Sequence, residues 1–148
     1  MSAFYTLKVN AIQRETADSV AISFDVPDEL KEKFVFLPGQ YLTLKLQLEG
    51  AEIRRSYSIC SSPLFGEKLG VAVKKVKDGK ASTYLNEQLK VGDSLEVMTP
   101  MGNFYPSISG NNSKIYYLFA GGSGITPMMS IMKSVLKSEP NSKVNLFY

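Results

Sequence analysis

The hydrophobic pattern changes period once, near residue 110, and the change restricts the chain to two architectures in succession. Before that point the apolar residues alternate. Residues 5–12, 19–26 and 41–48 are period-2 runs, and 53–60, 70–76 and 94–98 read as further short strands between Gly, Pro and Asp punctuation. Alternation with period 2 puts one face of each strand in a core and the other in water. Six such strands at this spacing predict a small antiparallel barrel or sandwich. One short helix interrupts them, with Ser82 as its expected N-cap and Leu85 and Leu89 on one face.

After the polar linker at 109–113, residues 115–120 (IYYLFA) are continuously apolar. A run of this kind predicts a strand covered on both faces. The glycine turn GGSG follows at 121–124, and Met128, Met129, Ile131, Met132, Val135 and Leu136 then recur at helical spacing. Thr126 is the expected cap of this helix and Pro127 its first residue. Residues 144–148 start another strand. The tail therefore reads β-α-β. A parallel doubly wound domain needs several more such units, so the expectation is a barrel over 1–108 followed by a truncated α/β domain over 113–148.

Composition removes several kinds of chemistry. The chain has 148 residues, no histidine, one cysteine and a net charge of +3. Without histidine there is no Ser-His-Asp or Cys-His centre, and the usual zinc ligand sets are missing. Cys60 alone makes neither an internal disulfide nor an iron–sulfur cluster. No metal site is expected. The N-terminal residues lack a signal-peptide pattern and no apolar run is long enough to span a bilayer. These features lead to the expectation of a cytoplasmic protein that binds neither membrane nor nucleic acid.

Three segments carry candidate chemistry. RSYS at 55–58 ends a strand: Arg55 supplies a fork suited to phosphate, Tyr57 a flat face for a planar ring, and Ser58 a hydroxyl. In an extended strand, 55 and 57 share a face and 58 points the other way unless the strand bends. GKAS at 79–82 opens the short helix, so Gly79, Lys80, Ala81 and Ser82 bring a lysine, a hydroxyl and free N–H groups to one turn. GSGITP at 122–127 sits between a strand and a helix, which is the context of a dinucleotide turn, although Pro127 stands where the general fingerprint has its third glycine. Each segment alone also fits an ordinary structural role: a surface arginine, a capped helix, a tight turn.

In order and spacing, PGQY at 38–41, RSYS at 55–58, GKAS at 79–82, PMGNF at 100–104 and GSGITP at 122–127 resemble the ferredoxin–NADP reductase family. The resemblance implies a six-stranded antiparallel Greek-key flavin-binding barrel and the start of a Rossmann-like NAD(P)-binding domain. It implies that Arg55 contacts the flavin phosphates, Tyr57 stacks on the isoalloxazine and Ser58 lies near flavin N5. Val73 and Lys74 would run beside the flavin, and Gly79, Lys80, Ala81 and Ser82 would hold the pyrophosphate. Gly122, Gly124, Thr126 and Pro127 would lie under the nicotinamide nucleotide, with Thr126 facing the flavin edge.

Tyr57, Ser58 and Thr126 are thus the residues expected nearest the chemistry. The implied reaction is hydride transfer from NADH or NADPH to FAD, or to FMN, and then electron release to an acceptor protein or iron–sulfur domain outside this chain. Two other readings stand beside it. One is a flavin-binding or assembly subunit without hydride transfer. The other is a basic barrel binding single-stranded nucleic acid through Tyr41, Tyr57, Lys74 and Lys75.

Overall fold

A computed structural model describes residues 3–148. Strand β1 (Phe4–Thr16) opens the barrel, followed by β2 (Ser19–Asp25), β3 (Tyr41–Leu48), β4 (Ala51–Ser58), β5 (Gly70–Lys74) and β6 (Ser94–Met98). Their order in the sheet is β4-β3-β6-β1-β2-β5, and every pairing is antiparallel. The late strand β6 is inserted between the β1–β2 and β3–β4 hairpins, which is Greek-key connectivity. β1 can serve both β6 and β2 because two register shifts, between Val9 and Ala11 and between Arg14 and Thr16, bend it along its length. The two ends of the sheet meet at one bridge, Ile59 to Val71, supported by the Cys60 N–H donating to the Gly70 carbonyl at 3.0 Å.

The alternation read from sequence is the alternation that builds the core. Val20, Ile22 and Phe24 of β2, Leu42, Leu44 and Leu46 of β3, and Val71 and Val73 of β5 all point inward and are buried. Helix α1 (Lys80–Glu87) closes one end of the barrel with Ala81 and Leu85, and Leu89 just beyond it is also buried. The buried Asn86 fastens it there. Its Nδ2 donates to the Val73 carbonyl at 3.1 Å, while Arg14 donates to its Oδ1 at 3.1 Å. A 3₁₀ turn over Asp28–Phe34, which periodicity did not suggest, carries Phe34 into the core between β2 and β3.

The second unit is β7 (Ile115–Phe119), α2 (Ile125–Ser138) and β8 (Lys143–Phe147), with β7 and β8 parallel and in register from Ile115–Lys143 to Phe119–Phe147. Three expectations are corrected here. β7 is covered on one face only: Leu118 is buried beneath α2, whereas Phe119 is 68% exposed and Ile115 and Tyr117 are also open to solvent. The apolar run has the composition of a doubly covered strand, but α2 lies on one side and nothing among the described residues packs on the other. Next, α2 begins at Ile125 with Gly124 as N-cap, so Thr126 is not its cap nor Pro127 its first residue; the Thr126 hydroxyl instead donates to the Ser123 carbonyl at 2.9 Å. Likewise Gly79, not Ser82, is the N-cap of α1, because Ser82 turns its hydroxyl back to the Gly79 carbonyl at 3.1 Å and accepts the Val76 N–H at 3.2 Å.

Among the described residues, no helix is long and apolar enough to cross a membrane.

Candidate functional site

β4 ends the sheet, and along most of its length only β3 pairs with it. Continuing the register of the Ile59–Val71 bridge would set Tyr57 opposite Val73 and Arg55 opposite Lys75. Those pairs do not form, so below the bridge the barrel is split between β4 and β5. RSYS forms one lip of the split. β5, which runs on into the α1 turn, forms the other.

Pairing with β3 settles the directions on β4. Arg55 and Tyr57 lie opposite Leu44 and Leu42, on the core-side face, while Ser58 lies opposite Tyr41, on the other. Tyr57 is half-buried against the core. Burial pushes its phenol pKa up, with Arg55 pulling weakly the other way, so the ring is neutral at physiological pH. Arg55 is exposed; its Nη1 donates to the Arg54 carbonyl at 2.7 Å, and no carboxylate pairs with it among the described residues.

The other cations named from sequence are already engaged. Lys74 lies 3.7 Å from Asp18 and Lys80 lies 2.5 Å from Glu49. Hydrogen bonding from Thr16 is the main cause of the lowered Asp18 pKa, and Lys74 adds to it.

In the α1 turn, a side chain at position 79 would place its Cβ 2.4 Å from Val76 Cγ2 and 2.6 Å from Ser82 Oγ, so only glycine closes the turn without displacement. Ala81 and Ser82 are buried. They can offer a ligand their N–H groups but not their side chains, and Val73, fully buried, is limited to its backbone in the same way. Gly79 and Lys80 line a cavity of about 420 Å³ together with Gln47, Glu49 and Tyr84.

A second cavity, about 430 Å³, lies between the barrel and α2. Gly122, Thr126 and Lys74 line it, as do Cys60, Lys133 and Tyr148, to which sequence reading gave no part in the site. Gly124 and Pro127 lie next to this wall but do not line it, and Arg55, Tyr57, Ser58 and Val73 line neither cavity. Burial raises the Cys60 thiol pKa, with nearby Lys133 pulling it down, so it stays protonated at neutral pH. Cys60 was readable as the next residue but one after Ser58. Lys133 carried no signal, because only the packing of α2 turns it toward the barrel.

PGQY and PMGNF are clasped together. The Tyr41 N–H donates to the Met101 carbonyl at 2.9 Å and the Met101 N–H returns to Tyr41 at 3.0 Å. Gln40 Nε2 donates to the Gly102 carbonyl at 3.1 Å. Gly39 has φ +111°, and a Cβ there would lie 1.8 Å from the Phe104 carbonyl oxygen. Both motifs therefore hold the strand beside RSYS in place.

The family model described as the oxidoreductase FAD-binding domain matches residues 6–105, and the oxidoreductase NAD-binding domain model matches residues 118–148. The chain belongs to the oxidoreductase FAD-binding domain family. The likeness to ferredoxin–NADP reductases read from its motifs is borne out, and the flavin of this family is FAD. One component of the 1,2-phenylacetyl-CoA epoxidase of Escherichia coli (strain K12) is 45% identical over 148 residues, which is all of this chain and 41% of that protein. The ferredoxin reductase component of Rhodococcus rhodochrous 3-ketosteroid-9-alpha-monooxygenase is 42% identical over 143 residues, 96% of this chain and 40% of its own.

The chain thus spans about two-fifths of the length of these curated relatives. Among solved structures, phthalate dioxygenase reductase superposes with a TM-score of 0.75 at 27% identity, covering 98% of this chain and 43% of that one. Its structure is described as modular, for electron transfer from pyridine nucleotides to [2Fe-2S]. As members of this family, the barrel and its β-α-β companion have the six-stranded antiparallel and short α/β architecture expected from sequence.

Proposed function

We propose that this chain is the flavin-holding part of an NAD(P)H-dependent reductase that passes electrons to an iron–sulfur or ferredoxin-type acceptor. The barrel, taken as residues 1–108, holds FAD in the split between β4 and β5, and the β-α-β unit over 113–148 presents its glycine turn to the nicotinamide nucleotide. The observation that carries this reading is Arg55 without a carboxylate partner, beside the half-buried Tyr57, on the open lip of the split. A flavin dinucleotide has the complementary chemistry, a planar ring and a pyrophosphate. Relatives named as reductase components of oxygenases support the electron-acceptor side of the reading.

When bound, FAD supplies two-electron uptake from NAD(P)H and one-electron release to an acceptor. The residues of this chain bind and orient. Arg55 neutralises phosphate charge through a fork that needs no prior ion pair to break. Tyr57, held neutral, offers its face to the ring. Ser58, on the opposite face at the strand end, offers a hydroxyl where the strand turns toward Ile59. Gly79, its own N–H given to the Val76 carbonyl at 3.1 Å, closes the turn; the N–H groups of Lys80, Ala81 and Ser82 meet the pyrophosphate, and Lys80 exchanges its bond to Glu49 for phosphate. Thr126 and Gly122 line the wall that the nucleotide approaches. A cytoplasmic setting, where NADH and NADPH are available, fits this assignment.

The test is an absorbance scan from about 300 to 600 nm after incubation with FAD and desalting. Retained bands near ~370 and ~450 nm are expected of a bound oxidised flavin, and anaerobic NADH or NADPH is expected to bleach them. A folded protein that stays colourless overturns the assignment.

A further inference from the structure

Helix α2 meets the barrel through hydroxyl groups. Ser130 and Ser134 are both fully buried and one helical turn apart on α2. Ser130 Oγ donates to the Ser61 carbonyl at 2.7 Å. Ser134 Oγ lies 2.8 Å from Ser62 Oγ and donates to the Ser130 carbonyl at 2.7 Å. Beside this pair, Lys133 Nζ reaches Glu67 Oε1 at 2.8 Å, and Glu67 Oε2 accepts the Ser62 N–H at 2.6 Å.

Ser61 lies three residues beyond Ser58, and the chain between them is pinned. The Ile59 N–H donates to Gln40, the Cys60 N–H to Gly70, and Ser61 Oγ accepts the Gly70 N–H at 3.0 Å. On the other side, Ser130 lies one turn after Thr126 in the same helix. An apolar contact between helix and barrel is non-directional and tolerates sliding. Buried hydroxyls do not, because a shift beyond hydrogen-bond range leaves a donor unsatisfied.

We propose that Ser130 and Ser134 are positioning residues: through Ser61 and Ser62 they set the separation between the Thr126 turn and the RSYS strand, and with it the approach of the nicotinamide to the flavin. The proposal rests on the flavin-reductase reading above. Geometry of this kind acts on the rate of hydride transfer more than on binding, since a displacement of about 1 Å can cost on the order of 100-fold in rate.

The test uses the FAD-loaded protein mixed anaerobically with NADH or NADPH. The Ser130→Ala and Ser134→Ala variants are expected to lower the limiting rate of flavin bleaching by about tenfold. FAD affinity and the half-saturating nucleotide concentration should stay within about twofold, and the long-wavelength charge-transfer absorbance between nicotinamide and flavin should weaken. Should Ser134→Ala fail to fold, Ser62→Ala removes the same contact from the barrel side and must show the same split. Unchanged limiting rate and charge-transfer absorbance in the variants overturn the positioning role, as does FAD affinity falling in step with rate. Wild-type protein that retains FAD but is reduced by neither nucleotide overturns the underlying reductase reading, and the positioning role with it.

Discussion

The barrel and the β-α-β unit are held together by different means. In the barrel, 19 buried apolar residues from five of the six strands, α1 and the adjoining loops form one cluster, against which Ile53 and Tyr57 of β4 pack. In the β-α-β unit the corresponding cluster is Leu118, Ile131 and Val135, too few to carry a domain. Polar fastening does the rest: the serine seam holds α2 to the barrel, and Glu139 holds the connecting loop. Glu139 is buried, and its carboxylate accepts from the Ser109 N–H at 3.1 Å, Asn112 at 2.6 Å, Tyr116 at 3.0 Å and Ser142 at 2.6 Å. An apolar core supplies stability without direction. A polar knot fixes one geometry and collapses when a partner is lost.

The contrast is most easily broken at the core. Leu44→Ala, at a fully buried position, is expected to cost about 2–5 kcal/mol of global stability, seen as a lower denaturation midpoint with unchanged slope. Ile131→Ala removes an apolar side chain from the smaller cluster. It is expected to leave the main barrel transition in place and raise amide exchange only over 115–147. One shared shift of both regions would mean that the two units unfold together.

Arg55→Ala removes a charge-assisted contact of about 1.5–3 kcal/mol, so FAD affinity should fall by roughly 10- to 150-fold while the denaturation midpoint of the protein without FAD stays put. Unchanged retention of FAD on desalting would take Arg55 out of the site. Tyr57→Ala is expected to change both the bound flavin spectrum and its affinity. A spectrum identical to wild type would place the ring elsewhere.

The smallest expected effect is a pH dependence confined to the second unit. Burial alone would raise the Glu139 pKa, but the hydrogen bonds from Ser142, Asn112, the Ser109 N–H and Tyr116 outweigh it and hold the carboxyl at about 2, below its ordinary 4.5. A depressed folded pKa contributes stability that is fully present above 4.5 and is lost as pH falls from there through about 2. Protection of the 107–113 loop amides, measured against their intrinsic exchange at each pH, should therefore fall over that window. In Glu139→Gln the loop should already exchange faster at pH 7 and lose this dependence. A variant with the wild-type profile would show that Glu139 does not fasten the loop.

Much of the molecule was legible because local chemistry and global fold agree in it. Alternation placed three of the barrel strands and turn punctuation the other three, although β1 runs on to Thr16, past the alternating run at 5–12; the glycine turn between an apolar run and a helical pattern placed the β-α-β unit. Motif order alone was enough to indicate the family. Helix starts were misread at Ser82 and Thr126, since a hydroxyl near a helix start can either cap it or turn back on the preceding carbonyl, and both do the latter.

By itself, then, the sequence determined the periods of burial, the place where they change, and the residue types gathered at RSYS, GKAS and GSGITP, because these depend only on neighbours along the chain. Only the tertiary structure decided that the barrel closes at Ile59–Val71 and splits below it, leaving Arg55 without a carboxylate partner among the described residues while Lys74 and Lys80 are paired. It also decided that Ser130 and Ser134 face Ser61 and Ser62 across the two units. These are contacts between residues about 70 positions apart, and no local pattern encodes which buried hydroxyl meets which.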